Sequence, residues 1–392
     1  MDPQFQRLRQ AALHGHVTGR PPGLLIGVLV VSALGAGLIV LGTLAISVQA
    51  SGDTTPFWSA VVLAALPVPL LLAGILALDR LEPEPPVVLL AAFAYGAGLS
   101  TLVAGILNDV GAATITVPAF GAHGGELVSA VVGAPLIEES LKGLALLFLL
   151  HGRRHDLDGI TDAVIYAAMV GLGFAFVENI TYYIDAALVG GEQLAVLFVL
   201  RGLASPLAHP LFTLPTAVAV VAFSMGRVRA WAIGAGWLAA VGLHALWNGM
   251  ASLGLGQLAV AWVVLLIEAV VVIVAVVRDR RAHVAAIGRV IPAYSPYGLA
   301  SPADVAMLMD LKQRRGARRV ARATGGSVAR TAMADYQQSA TELALLHDRL
   351  DRGAADDEVH EARRQQLLAL MGSARQYLAL TRPPVMAPFN RG

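Results

Sequence analysis

Long apolar runs separated by short polar breaks fill the chain up to about residue 277, and shorter amphipathic runs fill the rest. A bilayer crossing needs about 20 mostly apolar residues. That length predicts eight spans, roughly Leu24–Val48, Phe57–Leu78, Val87–Leu107, Leu127–Leu150, Ile160–Ile184, Leu194–Ser224, Trp231–Leu253 and Leu258–Val277. The sixth is too long for one straight helix. Pro206 and Pro210 in "SPLAHP" predict a kink or interruption within it. After Arg281 the segments "PADVAMLMDLKQRRGARRVARA", "SVARTAMADYQQSATELALLHDRL" and "DEVHEARRQQLLALMGSARQYLAL" repeat apolar positions at helical spacing. Gly325-Gly326 and "DRGAADD" separate them. The fold class expected is all-α: a polytopic membrane helix bundle with a C-terminal cytoplasmic helical appendage. Residues 1–23 read as a cytoplasmic N-terminal segment, 24–277 as the transmembrane domain and 278–392 as a basic tail.

Composition agrees with a membrane chain. Of 392 residues, 56% are hydrophobic and only 14% charged, against about 25% charged in soluble domains. The chain has no cysteine, which excludes disulfides, thiolate-bound zinc and a thiol nucleophile. The N-terminal stretch before Leu24 is too polar for a cleaved signal peptide. The net charge of +1 hides an imbalance: Arg278 onward holds 18 basic and 11 acidic residues, the remainder 10 and 16.

Loop charges orient the bundle. Arg7, Arg9 and Arg20 precede the first span. Arg80 lies in the second loop, Arg153 and Arg154 in the fourth, Arg227 and Arg229 in the sixth, and Arg278, Arg280 and Arg281 follow the eighth. The odd-numbered loops carry no Lys or Arg. The positive-inside rule then expects both termini in the cytoplasm of a bacterial plasma membrane. "KQRRGARR" in the tail is basic enough to touch anionic lipid headgroups. No nucleic-acid partner is expected.

Ionisable groups inside spans are costly and therefore candidates for function. They are Glu138, Glu139, Lys142, Glu178, His209, His244 and Glu268, with Asn179 and Asn248 as polar companions; Arg201, Asp162 and Asp185 lie nearer span ends, where they are expected to snorkel. Glu138 and Lys142 are four residues apart and Glu139 and Lys142 three, so the trio shares one helix face. His244 and Asn248 are again four apart. At about 1.5 Å per residue from the outer end of each span, Glu138 lies at roughly 17 Å, Glu178 and His244 at roughly 10–15 Å and His209 at roughly 22 Å. Four residues on four helices thus share one slab between the midplane and the outer leaflet. Carboxylates and imidazoles without Cys suit activation of a water. One route is a buried glutamate acting as general base. The other is a metal such as zinc, held by Glu178, His209 and His244 with water in the open position. Lys142 neutralises one of the two adjacent glutamates, and the Asn248 amide is placed to donate to an oxyanion. Glu268 has no motif around it and reads as structural, and His123 as a solvated loop histidine.

The pieces "EESLK" (Glu138–Lys142), "FAFVEN" (Phe174–Asn179), His209 and "HALWN" (His244–Asn248), with "LDRLEPEPP" before the third span, resemble the PrsW family of intramembrane proteases over roughly Asp79 to Ala251. That family is distantly similar to CAAX prenyl endopeptidases and bacteriocin-immunity-type membrane proteases, whose FxxxH is here an FxxxE ending at Glu178. The departure makes a prenyl-protein substrate less suitable. The resemblance implies a hydrolase of peptide bonds in membrane-anchored proteins, with anti-sigma factors cleaved at a first site as the known kind of substrate. Either Glu138 or Glu139 is expected to activate water, with Glu139 placed first on no geometric ground. Two other classes compete: a proton-coupled transporter, which would ordinarily show internal repeats that this chain lacks, and a non-catalytic scaffold presenting the tail.

Overall fold

A computed structural model describes residues 22–78, 81, 84–153, 157, 159–351 and 357–381. Arg7, Arg9, Arg20, Arg80 and Arg154, which carry part of the orientation reading, lie outside the described residues, as does most of "DRGAADD". The described residues are helical throughout, without strands. They fall into two compact units: residues up to 79 with 84–277, and 80–83 with 278 onward.

The first unit is the membrane bundle. Its helices are α1 Pro22–Ser51, α2 Thr55–Ala65, α3 Val68–Leu78, α4 Pro86–Tyr95, α5 Thr101–Gly111, α6 Val117–Val128, α7 Ala134–Arg153, α8 Ile160–Val189, α9 Gly191–Leu197, α10 Ala208–Ser224, α11 Trp231–Leu253 and α12 Leu255–Val290, the last belonging to this unit up to Val277. Among the described residues, six stretches are long and apolar enough to cross a bilayer. Two of the eight expected spans share one of them, the 66-residue stretch Pro86–His151. Within it the chain turns at Gly121, whose φ of 77° only glycine adopts freely. The helix Trp231–Leu253, 23 residues long, is not among the six. The segment after Asn108, expected as a loop, is helical: wide π-turns at Ala112–Thr116 and Ser129–Gly133 link α5, α6 and α7. In hydrocarbon a loop would strand its backbone polar groups, whereas helix satisfies them internally.

α8 is the hub. It packs on α2, α4, α9 and α10, and Ile165, Tyr166, Val170, Leu172 and Tyr183 on it are almost wholly enclosed. Apolar side chains alone gain little by meeting in lipid, so close backbone approach and dispersion carry such packing. Gly96, in the π-turn Gly96–Ser100, and Gly173 on α8 meet reciprocally. A Cβ on Gly96 would collide with the Val170 carbonyl oxygen, and one on Gly173 with that of Phe93. Gly171 does the same for α10, where a Cβ would sit 2.6 Å from Pro210 N. The break expected near Pro206 is present. After the π-turn Phe198–Ala204 the chain leaves helical geometry at Ser205, with φ −136° and ψ 40°, and resumes at Ala208.

The second unit contains α13 Pro302–Met309, α14 Leu311–Asp351 and α15 Asp357–Leu380, with the residues of α12 from Arg278. Ile287, Ile291, Leu308, Ala332, Tyr336, Leu343 and Met371 form its core. α14 kinks where Gly325 and Gly326 leave helical geometry, at the double glycine. The first tail segment, read as one helix, is two. Asp310 is extended, with φ −123° and ψ 119°, and its carboxylate accepts from the amides of Lys312 and Gln313 at 2.6 and 3.0 Å. A side chain that caps a helix so well ends the preceding one. Ser301 and Asp304 form a capping box at the start of α13: the Asp304 carboxylate accepts from Ser301 N at 2.8 Å and Ser301 Oγ at 2.7 Å, and from Arg375 on α15.

Two consequences follow for stability. Gly173→Val should lower the unfolding midpoint of the detergent-purified protein by the equivalent of about 1–3 kcal/mol. Gly105→Val, where an added Cβ meets nothing within 4 Å, should change it far less. For Asp304, burial raises the carboxyl pKa, but the bonds from Ser301 and Arg375 outweigh it and leave the group below its ordinary 3.8. A carboxyl depressed on folding stabilises above its unfolded pKa and loses that contribution as pH falls through the folded one. Protection of the α13 amides, taken relative to intrinsic exchange at the same pH, should therefore fall below about pH 4 in the wild type, and already at neutral pH in Asp304→Asn.

Candidate active site

α7 begins with Pro135 in its first turn and carries Glu138, Glu139 and Lys142 on one face, as their spacing requires. All three are buried, Lys142 and Glu139 to zero exposure. Lys142 Nζ donates to Glu139 Oε1 at 2.8 Å and lies 3.5 Å from Glu138 Oε2. It also meets His209 Nδ1 at 2.9 Å and lies 4.1 Å from the centre of the Phe174 ring. An ammonium has only protons to give, so His209 Nδ1 accepts. The ring proton of His209 is then on Nε2, which donates to Glu178 Oε2 at 2.9 Å.

Glu139 is saturated. Beyond Lys142, it accepts from Thr213 Oγ1 at 2.8 Å and meets His244 Nδ1 at 3.0 Å. Its oxygens are acceptors, so Nδ1 of His244 carries a proton, and in the neutral ring Nε2 is left with a lone pair. That nitrogen lies 3.9 Å from Glu138 Oε2. The His244 ring is held flat against Phe212, with centroids 4.6 Å apart. On α10, His209, Phe212 and Thr213 share one face at spacings of three and four; on α11, His244, Trp247 and Asn248 do the same.

Glu138, Glu178, His209, His244 and Asn248 all line one cavity of about 290 Å³. Four helices therefore deliver to one place the residues that the depth reckoning put in one slab. Glu139 and Lys142 stand behind the wall. The Asn248 amide donates to the Ala130 carbonyl at 2.8 Å, in the π-turn before α7. Among the described residues, one group of acidic and imidazole side chains has ligand atoms within 4.8 Å of one another: Glu138, His209 and His244. Glu178, expected as a metal ligand, meets His209 and Arg201.

One carboxylate and two imidazoles are zinc-type donors, but of the three only Glu138 and His244 keep lone pairs open toward the cavity; His209, with Nδ1 accepting from Lys142 and its Nε2 proton on Glu178, would have to give up one of those bonds to join them. His244 also has the supporting bond from its far nitrogen to a carboxylate that metal-binding histidines ordinarily show. Charge counting points the same way. Glu138, Glu139 and Glu178 face Lys142 and Arg201, one acid more than the two cations can neutralise. The surplus is met by a proton or by a bound cation.

Three residues were not found by sequence reasoning. Arg201 was read as snorkelling from a span end, but it turns inward. Its Nε donates to Asn179 Oδ1 at 2.6 Å, its Nη2 to Glu178, and its guanidinium lies 4.1 Å from the Tyr182 ring centre. A buried carboxylate draws it in, because water at the interface is a poorer option than a charge-assisted bond in hydrocarbon. Thr213 could have been found from its place four residues after His209. Asn108, whose Nδ2 lies 3.4 Å from Glu138 Oε1, was assigned to a loop. Asp162 does not snorkel either; it accepts from Gly159 N at 3.0 Å at the start of α8. Glu268 lies on α12, with Oε2 enclosed and without a hydrogen-bond donor among the described residues. His123 is exposed.

Comparison with known proteins comes to the same region. Residues 84–277 match the family described as PrsW family intramembrane metalloprotease. A stretch of 121 residues is 30% identical to a protein named Protease PrsW from Clostridioides difficile (strain 630), covering 31% of this chain and 49% of that protein. The chain thus spans about half the length of the curated relative it matches. No solved structure matches. Through residues 84–277, which hold all the cavity-lining carboxylates and imidazoles described above, the chain belongs to the PrsW family of intramembrane proteases.

Proposed function

We propose that the cavity hydrolyses peptide bonds of membrane-anchored proteins, using a water held between Glu138 and His244. One observation carries the reading. Glu138 Oε2 and His244 Nε2 both border the cavity and are 3.9 Å apart. With Glu138 ionised and His244 neutral, two lone pairs that close call for a shared partner, and a water can donate one O–H to each. Glu138 is the general base, because its neighbour Glu139 is fully occupied by Lys142, Thr213 and His244. Glu139 positions His244 and fixes its tautomer.

In the reaction Glu138 takes a proton from the water as its oxygen attacks the carbonyl carbon of the scissile bond. The second N–H of Asn248, beyond the one given to Ala130, supports the oxyanion. Glu138 then returns the proton to the leaving nitrogen. Lys142 holds Glu139 and His209 in place. Glu178, fixed by Arg201, holds the ring proton of His209. Glu138 and His244 would hold a divalent cation such as zinc, joined by His209 only if it released its bond to Glu178 or Lys142, and the chemistry such an ion would supply is to polarise water and lower its pKa to about 7. The substrate class carried by the family likeness is a membrane-anchored regulator of the anti-sigma-factor kind, cut first on the outer side. Both termini then face the cytoplasm.

The test is cleavage of a single-span substrate by the purified protein in liposomes. Glu138→Gln should lower kcat by about 10²–10⁴-fold, the usual worth of a general base. Thr213→Val should cost roughly tenfold or less, since it loosens one of three bonds to a positioning carboxylate. Unchanged cleavage by Glu138→Gln would refute the assignment. Metal content is read separately: His244→Ala should abolish retention of zinc by protein equilibrated with it, and wild-type protein that takes up none leaves the metal-free route.

A further inference from the structure

The basic run of the tail has no part in the catalytic reading, yet the fold arranges it on one side of a helix. From Leu311 to Ala334 there is no Asp or Glu, while Lys312, Arg314, Arg315, Arg318, Arg319, Arg322 and Arg330 are all cationic. α14 turns about 100° per residue, so Lys312, Arg315, Arg319 and Arg322, at successive spacings of three, four and three, form one stripe about 80° wide. All four are exposed. The rotation of the helix is fixed by the cation that departs from the stripe. Arg314 is buried, and its Nη2 donates to the carbonyls of Leu81 and Gln337, each at 3.1 Å. Ala321, on that same side, is also buried. With that face locked inward, the stripe is held outward.

No ion pair to a stripe residue is present among the described residues. The nearest acid in sequence, Asp310, is engaged by two backbone amides. Arg318 beside the stripe has its pKa lowered by burial first and then by Arg330 and Arg315, and the acid that acts on Lys312 and Arg315 is Asp310. Val320, 63% exposed, adds an apolar side chain next to the stripe.

We infer that the stripe Lys312, Arg315, Arg319 and Arg322 is a docking surface for the headgroups of anionic phospholipids. Its ligand is a row of phosphate oxygens. The bilayer is the source favoured because Lys312 follows the last membrane residues of α12 by only some 35 positions in the same chain, which keeps the surface near lipid at high effective concentration. Juxtamembrane cations gain from anionic leaflets, and the gain fades within a Debye length.

The full chain in nanodiscs of phosphatidylcholine, with and without phosphatidylglycerol, tests this by hydrogen exchange of Leu311–Thr324. Exchange should slow when phosphatidylglycerol is present and recover in high salt, and each charge removed by Lys312→Gln, Arg315→Gln, Arg319→Gln or Arg322→Gln should weaken the response roughly fivefold. Equal exchange in both lipids overturns the inference. So does equal slowing by inorganic phosphate, which makes the ligand a soluble anion. Slowing by an RNA homopolymer but not by phosphatidylglycerol would assign the stripe to nucleic acid instead. The wild-type comparison needs no variant to fold.

Discussion

The buried ammonium of Lys142 is the interaction on which the membrane unit depends. It is wholly enclosed, in a setting where an isolated charge would be prohibitive, and it is satisfied by Glu139, Glu138, His209 and the face of Phe174. Through these contacts one cation binds α7 to α8 and α10. It also fixes protonation: by donating to His209 Nδ1 it sends the ring proton of that histidine to Glu178, and by holding Glu139 as an acceptor it leaves His244 Nε2 bare toward the cavity. Breaking a buried charge network by removing one partner typically costs 3–5 kcal/mol, since it strands the others. The site and the bundle are in this sense one structure.

Close backbone packing is what brings such groups within reach. Gly96 and Gly173 let the π-turn before α5 seat against α8, and Gly171 lets the first turn of α10, which bears His209, approach the same helix. The π-turns flank the site for a related reason. A wide turn displaces the following helix face, and the turn Ser129–Gly133 presents Ala130 to Asn248, while Phe198–Ala204 swings Arg201 onto Glu178. The two adjacent glutamates then separate in role by position alone, one at the cavity wall and one behind it.

Much of this was readable from the chain itself. The period and length of apolar runs give helices in a membrane, since backbone hydrogen bonding leaves little else possible there. Ionisable residues within those runs give the candidates, because desolvation makes them rare. Spacing of three and four places Glu138, Glu139 and Lys142 on one face. What spacing does not carry is the partner across a helix interface. Arg201 was misread because its distance from a span end is local, whereas its partner, Glu178, is on another element. Asn108 was misread because the polar, glycine-containing segment after it has the composition of a loop, although its backbone bonds locally in α- and π-turns. The break at Asp310 was missed because the apolar period continues through it while its side chain caps the next helix.

By itself, then, the sequence determined the helical class, the membrane character and five polar residues of the cavity, Glu138, Glu178, His209, His244 and Asn248, for each follows from the cost of placing polar groups in hydrocarbon; Asn108, Asp109, Glu126, Ser129 and Tyr182, which also line it, were not legible that way. Tertiary structure alone decided that Glu138 rather than Glu139 faces the cavity, that His209 and His244 are held in opposite tautomers, and that Arg201 points inward. Those outcomes depend on hydrogen-bond partners brought together by helix crossings, and a one-dimensional pattern does not record which face of one helix meets which face of another.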